Sequence, residues 1–270
     1  MTGIDLDTIR ATFRTLDPEK YPELLGMTRD EIYAGKMGPG GLYLAAAMVR
    51  TVAPRAGMRI LDIGCGRGAT SRFLARRFQA QVFAVDLWIS ASENHQRFVS
   101  QGFERDIVPL HLDVEKDLPF PADYFDLVFC MDCVHYFGGA SGFWARTLAH
   151  LKPGGDLAIG SPCFTGEFTA GQLDDLPQPY DDGTPVWARE FSQYHSPGWW
   201  AEVIGAADLM EPVDARIADD GEAYWEDEVL YNIEHQQSKK AVLRDARQIR
   251  CRREGYPYLT HFLVNGQRRR

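Results

Sequence analysis

Three glycines and an acid stand close together in the stretch Asp62-Ile-Gly64-Cys65-Gly66-Arg-Gly68. An apolar strand pattern precedes the stretch and a helix pattern follows it, so the backbone can approach a ligand where free helix N–H groups begin. The spacing is G-x-G-x-G, which differs from the G-x-G-x-x-G pattern of dinucleotide sites. Asp62 adds a carboxylate, which suits a cationic ammonium or sulfonium ligand better than a diphosphate. The stretch predicts a cradle for a small molecule.

Two further acids follow at the ends of the next predicted strands. Asp86 closes the run 82–86, where its carboxylate can accept both hydroxyl groups of a ribose. Asp113 follows the third strand and can accept from the exocyclic amine of adenine. Leu87 and Trp88 offer an apolar surface for packing against the base. Because ligands of open α/β sheets bind outside the carboxyl ends of the strands, these acids predict one nucleoside site.

The elements that must position these residues repeat as strand, helix, strand between Met58 and Pro162. Short continuous apolar runs are typical of strands buried on both faces, which predicts a parallel sheet covered by helices. The predicted strands are 59–63, 81–85, 107–112, 125–130, 155–161, 209–217 and 258–264. Helices are predicted from about Gly68, Ser90 and Ser141, at 198–207 and, as a pair, over 222–254. Ser90 and Glu93 form an S-x-x-E capping box.

The remaining segments indicate how the chain is organised around this sheet. Residues 1–53 are predicted to form an N-terminal helical cap, broken by the turn-forming run Gly38-Pro-Gly-Gly41. Residues 54–270 are predicted to form one domain with lid segments at about 163–200 and 220–254. Long connections of this kind usually cover a site.

The charge balance disfavours nucleic acid as a partner. The chain has 29 Lys and Arg against 38 Asp and Glu, a net charge of −9, which opposes attraction to a phosphate backbone. A basic run over 239–253 is the exception, and its helical spacing is typical of a solvated face.

Composition also predicts a cytoplasmic location without a membrane span. The longest apolar runs are far shorter than the roughly 20 residues that cross a bilayer. The N-terminal sequence lacks the basic start and apolar centre of a secretory signal. The 5 cysteines are scattered along a chain of 270 residues, which favours reduced thiols.

These motifs resemble those of the class I S-adenosylmethionine-dependent methyltransferases. The matching runs are L-D-I-G-C-G-R-G at 61–68, V-D at 85–86, L-D-V at 112–114, D-L-P-F-P-A-D-Y-F-D at 117–126 and L-K-P-G-G at 151–155. The resemblance implies an α/β, Rossmann-like fold. Its sheet would have seven strands, mostly parallel with an antiparallel last strand, helices on both faces, a helical N-terminal cap and a helical insertion before the last strand. Within the family the chain looks most like small-molecule enzymes of the quinone-methylating and cyclopropane-synthase-like branch.

The resemblance implies S-adenosylmethionine as the cofactor and assigns residues to its parts. The glycine stretch, with Asp62, Gly64, Cys65, Gly66 and Gly68, would accommodate the methionine portion. Asp86 and Leu87 would lie at the ribose, and Asp113 and Val114 at the adenine. The Met37–Gly41 turn resembles a glycine-rich segment of some members, and we expect it to close over the methionine end together with Tyr33.

The resemblance also places the reaction centre after the fourth strand, in Met131-Asp-Cys-Val-His135-Tyr136-Phe137. In that family this segment faces the transferable methyl group. We expect His135 to act as a general base near neutral pH and Tyr136 to orient the acceptor. Cys130 and Cys133 form a CxxC pair, but no second pair follows at zinc spacing, so no metal site is expected.

A second group of aromatic residues indicates what kind of acceptor binds. The group follows the proline-rich stretch 176–185, and we expect some of its rings to face a cavity. Its members are Trp187, Phe191, Tyr194, His195, Trp199 and Trp200. The acceptor is therefore expected to be a small molecule that is partly apolar or aromatic.

Other functions stay open at this point. The same cradle can serve a non-methylating enzyme that performs ring closure or other sulfonium chemistry on S-adenosylmethionine. A nicotinamide-dependent oxidoreductase is disfavoured by the glycine spacing. A non-catalytic module, or an enzyme that modifies nucleic acid through the basic run at 239–253, would bind in a salt-sensitive way.

Overall fold

The computed structural model describes residues 5–52, 55–116, 118–174, 189–250 and 254–270. Their strands are β1 Arg59–Ile63, β2 Gln81–Asp86, β3 Ile107–His111, β4 Phe125–Met131, β5 Leu151–Phe164, β6 Asp214–Ile217 and β7 Leu259–Gln267. All seven form one sheet in the order β3-β2-β1-β4-β5-β7-β6. Neighbours from β3 to β5 run parallel, whereas β7 runs antiparallel to both β5 and β6. The predicted α/β sheet with an antiparallel last strand is confirmed.

Helices cover both faces of this sheet. They are α1 Leu6–Thr12, α2 Arg29–Tyr33, α3 Gly41–Val49, α4 Ala69–Phe78, α5 Ala91–Ser100, α6 Phe143–Ala149, α7 Ala170–Asp174, α8 Pro197–Gly205, α9 Gly221–Glu234 and α10 Lys239–Ile249. The capping box at α5 forms as predicted, with the Ser90 side chain accepting from the Glu93 backbone and the Glu93 side chain accepting from the Ser90 backbone. Across the described ranges, no helix has both the length and the apolar character needed to cross a membrane.

Two strand boundaries differ clearly from the predicted ones. β5 begins at Leu151 instead of residue 155, because Leu151 already pairs with Phe125 of β4. β6 begins at Asp214 instead of residue 209. Met210 forms only an isolated bridge to Arg268, and its side chain is buried in the core. The apolar pattern at 209–213 therefore reflects packing of a loop.

The alternation of side chains along each strand builds one core on each face of the sheet. In β1, Ile60 packs on one side with α3 and α4, while Leu61 and Ile63 pack on the other with α6 and α8. Burial of both faces explains the continuous apolar runs in the sequence. It also leaves only the strand ends accessible for polar chemistry.

The N-terminal segment, residues 5–38, is held against α9 by long-range polar contacts. Arg14 donates to Glu226, the Tyr21 hydroxyl group donates to Asp220, and Arg29 donates to Asp227. A small apolar cluster joins α1 to α9 and α10; its buried members are Ile9, Phe13, Val229, Leu230, Val242, Ala246 and Ile249. The segment predicted as a cap thus packs on the segment predicted as a lid at 220–254. The part of the other predicted lid at 175–188, including Trp187, lies outside the described residues.

Candidate active site

A cavity opens at the carboxyl ends of β1, β2 and β4. The sequence-predicted residues that line it are Gly64, Cys65, Gly66, Asp86, Leu87, Asp113, Val114 and Tyr136. Lys36, Met37 and Gly38 of the N-terminal segment line its opposite wall. We call this space the first cavity. Asp62, Gly68, Tyr33 and His135 do not line it.

The three glycines of the cradle all have left-handed backbone, with φ of 67° at Gly64, 53° at Gly66 and 75° at Gly68. A Cβ at Gly64 would lie 2.3 Å from the Cys133 Sγ atom, and one at Gly68 would lie 2.4 Å from the Phe98 ring. The glycines are therefore required by backbone conformation and by tight packing against protein side chains. Gly64 and Gly66 present their peptide edge to the first cavity, whereas Gly68 serves the packing of α5.

Asp86 binds the backbone of the cradle as well as lining the first cavity. Its Oδ2 atom accepts from the Gly66 amide at 2.8 Å. Its Oδ1 atom accepts from the amides of Trp88 and Ile89, at 2.7 and 2.8 Å. An ionised carboxylate has about four acceptor positions, so these three bonds leave room for a further donor. Asp86 thus fixes the loop after β2 to the glycine stretch.

Asp62 is buried beneath the cradle. Its Oδ2 atom accepts from the hydroxyl groups of Thr70 and Ser71, at 2.8 and 2.6 Å, while Oδ1 has no hydrogen-bond partner. Burial raises the pKa of Asp62 to about 7, against the opposing effect of the two hydroxyl groups, and the nearby Asp86 raises it further. These two hydrogen bonds hold the start of α4 against β1. Asp62 therefore supports the glycine cradle without lining the first cavity.

At the end of the first cavity that Asp113 lines, one side is polar, and the side formed by Leu87 and Trp88 is apolar. The Asp113 Oδ1 atom accepts from the Glu115 amide at 3.0 Å, and its Oδ2 atom lies 3.3 Å from the Lys116 Nζ atom. Leu87 is 53% exposed and Trp88 is 62% exposed, which leaves their side chains available for packing against a ligand. The Trp88 ring lies edge-on to Tyr136 with centroids 5.0 Å apart.

Tyr33 is turned away from the first cavity. It is 3% exposed, and its hydroxyl group donates to the Asp227 Oδ2 atom. The residues that do reach the cavity from the N-terminal segment are Gly35, Lys36, Met37 and Gly38. The predicted turn therefore lies beside the glycine cradle. The hydrogen bond from Tyr33 to Asp227 attaches the turn to α9 on the side away from the first cavity.

A second cavity adjoins the first. Both cavities are lined by Met37, Gly38, Asp132 and Tyr136, so they meet at these residues. The second cavity also has aromatic walls formed by Phe191, Tyr194 and Trp225. Of the predicted aromatic group, His195, Trp199 and Trp200 lie elsewhere: His195 stacks on Trp199, and Trp200 packs on Phe262 in the core.

His135 lines the second cavity. Its Nδ1 atom lies 3.1 Å from the Ser161 hydroxyl group, and its Nε2 atom has no partner. Burial, followed by the nearby His261, lowers the pKa of His135 to about 3. The imidazole is therefore neutral at pH 7, but it is a weaker base than the sequence-based prediction of a pKa near neutrality required.

Asp132 lies where the two cavities meet. Its backbone conformation is unusual, and its carboxylate has no hydrogen-bond partner among the described residues. Its φ is 56°, in the left-handed region that most residues avoid. Its side chain is 7% exposed, and neither carboxylate oxygen has a hydrogen-bond partner. Burial raises the pKa of Asp132 well above its ordinary value; Glu228 raises it further, and Lys36 lowers it.

Comparison with known proteins identifies the fold family. Residues 60–155 match a family model described as a methyltransferase domain. Erythromycin 3''-O-methyltransferase of Saccharopolyspora erythraea is 30% identical over 203 residues, which cover 70% of this chain. The chain therefore contains a methyltransferase domain of the class I S-adenosylmethionine-dependent type. Phosphoethanolamine N-methyltransferase 1 of Arabidopsis thaliana is 25% identical over 157 residues, which cover 56% of this chain.

A solved structure shows the same fold at greater distance. Phosphoethanolamine N-methyltransferase 2 of Haemonchus contortus, in complex with phosphomonomethylethanolamine and S-adenosylhomocysteine, superposes with a TM-score of 0.69 at 19% identity. The similarity covers 89% of this chain and 56% of that one. The matched regions span 62% of the Saccharopolyspora enzyme and 30% of the Arabidopsis enzyme, less than two thirds of each.

Asp132 is the residue of this methyltransferase domain that the sequence-based prediction missed. The signal was present, because Asp132 directly follows β4 just as Asp86 closes β2 and Asp113 follows β3. The rule that strand-end acids face the ligand was applied only to the first three strands. Extending the rule to β4 would have found it.

The CxxC pair lies beside the cradle in reduced form. The Sγ atoms of Cys130 and Cys133 are 3.2 Å apart, and Cys133 donates to the Ile63 carbonyl group at 3.1 Å. The part of the chain that the structure describes contains no cluster of three or more His, Cys, Asp or Glu residues arranged to hold a metal ion. Cys133 instead fills the space that Gly64 leaves open.

Proposed function

We propose that this protein transfers a methyl group from S-adenosylmethionine to a small molecule. The observation that carries the proposal is the meeting of two cavities at Asp132 and Tyr136, one lined by the glycine cradle and Asp86 and the other by aromatic side chains. Bound in the first cavity, the cofactor supplies an electrophilic methyl group. The second cavity gives an acceptor a route to the same place, and much of the acceleration in such a reaction comes from positioning.

The lining of the first cavity fits this cofactor. The peptide edge at Gly64 and Gly66 suits the methionine portion, and Asp86 has a free acceptor position for a ribose hydroxyl group. Asp113 suits the amine of adenine. Leu87 and Val114 offer apolar surface for the purine ring.

The reaction centre proposed from these positions uses His135 and Tyr136. Tyr136 lines both cavities and orients the acceptor, while His135 faces the acceptor from the second cavity and is the proton acceptor for substrates that lose a proton during methyl transfer. The low pKa that burial gives His135 limits it to protons that become acidic during methyl transfer. Acceptors that are partly apolar or aromatic fit the rings of Phe191, Tyr194 and Trp225.

We further propose a cytoplasmic location without a nucleic-acid partner. Cys65, Cys130, Cys133 and Cys163 are free thiols, which favours a reducing compartment. The net charge of −9 opposes binding to a phosphate backbone.

Calorimetry on the Asp86→Ala variant tests the cofactor site. We expect wild type to bind S-adenosylmethionine and the variant to bind it at least about thirtyfold more weakly, because it loses a charge-assisted acceptor and the anchor of the cradle. Asp106→Ala, at an exposed acid before β3, is the matched control and should bind as wild type does. Unchanged affinity in a folded Asp86→Ala sample would overturn the proposal.

Two simple incubations separate the alternative reactions. With S-adenosylmethionine alone, methyl transfer predicts no S-adenosylhomocysteine until an acceptor is added, whereas ring closure on the cofactor proceeds unaided. Calorimetry with NADH should give no heat that saturates. Saturable binding of NADH in place of S-adenosylmethionine would favour an oxidoreductase.

A further inference from the structure

The junction of the two cavities is rich in hydrogen-bond acceptors that lack donors. Neither oxygen of Asp132 has a hydrogen-bond partner among the residues that the structure describes. The His261 Nδ1 atom lies 2.7 Å from the Gly221 carbonyl oxygen, so Nδ1 donates and Nε2 carries a lone pair. That Nε2 atom lies 3.8 Å from the Asp132 Oδ1 atom and is itself without a partner. Three acceptor atoms thus face one another with no donor between them.

The cations nearest to this junction are already engaged. Lys36 is paired with Glu228 and also donates to Asn232 at 3.4 Å. Arg244, on the wall of the second cavity, is paired with Asp245 at 2.7 Å. The other groups facing Asp132 are His261 from β7 and Glu228 from α9. No described side chain therefore neutralises Asp132 directly.

This arrangement is unfavourable for folding by itself. A left-handed backbone at a residue other than glycine costs roughly 1 kcal/mol or more, and a buried carboxylate without partners costs several. Such groups persist at binding sites, where a ligand supplies the missing partners. The ligand that matches Asp132 and His261 carries several N–H donors and a positive charge.

We propose that the methyl acceptor is an amine, which enters as an ammonium ion and is held by Asp132 and His261 where the two cavities meet. This inference rests on the proposed methyl transfer. An ammonium ion brings up to three donors and a charge that balances Asp132, whereas an alcohol brings one donor and no charge. The amine nitrogen would lie beside the first cavity, because Asp132 lines both spaces.

The same carboxylate can take the proton that must leave before reaction. An ammonium group R–NH₃⁺ gives one proton to the Asp132 carboxylate, which becomes a neutral acid. The lone pair of R–NH₂ then forms the N–C bond as the C–S bond breaks, and that electron pair stays on sulfur as a thioether. The product is R–NH₂⁺–CH₃, and Asp132 returns its proton to solvent when product leaves. Burial of Asp132 favours this step, because it favours the neutral acid.

The wall of the second cavity indicates what the rest of the amine carries. The Trp225 Nε1 and Gln248 Nε2 atoms are buried donors that have no hydrogen-bond partner within the described ranges, and both residues line this cavity. They suit a hydrogen-bond acceptor on the substrate, such as a hydroxyl or carboxylate oxygen. The favoured class is therefore a small amine with an oxygen function.

Methylammonium chloride is a probe that tests the ammonium site without knowledge of the substrate. With S-adenosylhomocysteine bound, thermal unfolding of wild type should shift upward and saturate with methylammonium beyond the effect of equal sodium chloride. Asp132→Asn is expected to fold, because Asn tolerates left-handed backbone and carries no buried charge. Its apparent affinity for methylammonium should be at least about tenfold weaker. Asp106→Asn, at an exposed acid that lines neither cavity, is the matched control and should respond like wild type.

The outcomes separate this inference from the proposed function. If wild type does not bind S-adenosylmethionine, the proposed function itself fails. If the cofactor binds but methylammonium acts no differently from sodium chloride, or stabilises Asp132→Asn equally, the amine inference is overturned. If the Asp132→Asn variant instead binds S-adenosylmethionine more than about tenfold more weakly, the carboxylate binds the sulfonium cofactor. That result would also overturn the amine inference.

Discussion

The hydroxyl group of Tyr33 donates a hydrogen bond to the Oδ2 atom of Asp227, which lies 194 residues further along the chain. The Oδ1 atom of Asp227 accepts from Arg29 at 2.8 Å and from the Leu16 amide at 3.2 Å. Burial, and then the negative charge of Asp227, raise the pKa of Tyr33. Asp227 on α9 thus accepts hydrogen bonds from three residues of the N-terminal segment, Leu16, Arg29 and Tyr33. The result is that Lys36, Met37 and Gly38 are held over the first cavity.

Removal of this hydroxyl group should weaken the fold and spare the cofactor site. We expect Tyr33→Phe to lower the free energy of unfolding by about 1 kcal/mol, because one buried hydrogen bond to a charged acceptor is lost. Affinity for S-adenosylmethionine should change less than about threefold, because Tyr33 does not line the first cavity. Urea unfolding and calorimetry measure the two effects.

Tyr43→Phe is the control, because the Tyr43 side chain is equally buried and its hydroxyl group has no hydrogen bond among the described residues. It should leave both quantities near their wild-type values. A tenfold loss of cofactor affinity in Tyr33→Phe with unchanged stability would restore Tyr33 to the cofactor site.

Gly64 should tolerate alanine much less well than another glycine of similar backbone. Gly64→Ala puts a Cβ atom 2.3 Å from the Cys133 Sγ atom, and the backbone must shift. We expect a loss of more than about 3 kcal/mol in unfolding free energy. Gly57→Ala shares a left-handed φ, 75°, but meets nothing within 4 Å, so it should lose about 1 kcal/mol.

The clash predicts coupling between the two residues in a double-mutant cycle. Gly64→Ala combined with Cys133→Ala should recover part of the lost stability, because the Sγ atom is gone while the Cβ contact at 2.8 Å remains. Strictly additive effects in chemical unfolding would show that the two side chains do not compete for this space.

His135 should make stability fall at acid pH. Burial lowers its pKa to about 3, while the ordinary value is about 6.5. Between these values the unfolded chain binds a proton at this position and the folded protein does not, so acid favours unfolding. From pH 6.5 to pH 5, wild type should lose about 2 kcal/mol more unfolding free energy than His135→Gln. Urea titrations at several pH values measure this difference.

His95→Gln, at an exposed position of α5, provides the comparison for the pH series. Its stability should follow wild type across the range. Parallel curves for wild type and His135→Gln would show that the pKa of His135 is the same in the folded and the unfolded chain, which would contradict the lowering of this pKa by burial.

Trp88 should contribute to cofactor affinity and little to stability. It is 62% exposed at the rim of the first cavity, so Trp88→Ala should change unfolding free energy by less than about 0.5 kcal/mol. Affinity for S-adenosylmethionine should fall by about tenfold, because a large ring packed on the purine is lost. Val99→Ala, an exposed apolar residue on α5, is the control. Equal affinities in calorimetry would place the purine elsewhere.

Local patterns were sufficient to predict most of the sheet. β1 was predicted with the bounds it has, because an apolar run between turns has few other structures. The start of α5 followed from Ser90 and Glu93, whose capping contacts are local. β6 was predicted too long, since Leu209 is partly buried and Met210 is buried, while this part of the chain joins the sheet only through a single bridge.

Contacts between distant parts of the chain could not be predicted in this way. Nothing near Tyr33 in the sequence indicates Asp227 as its partner, so Tyr33 was assigned to the cofactor from the resemblance alone. The role of Asp62 was likewise hidden, because Thr70 and Ser71 turn its carboxylate toward α4. The depth at which His135 is buried depends on His261 and Tyr194, which arrive from elsewhere in the chain.

The position of β7 in the sheet determines when, during translation, the parts of the candidate site can come together. Among the strands that the structure describes, β6 pairs with β7 alone, and β7 is synthesised after β6, so β6 emerges before its described partner. His261 lies on β7, opposite Pro162 of β5. A nascent chain that has not yet released this strand can carry the glycine cradle and both strand-end acids, yet it has no complete junction at Asp132. The junction that we propose for the amine is therefore complete only after this strand has been synthesised.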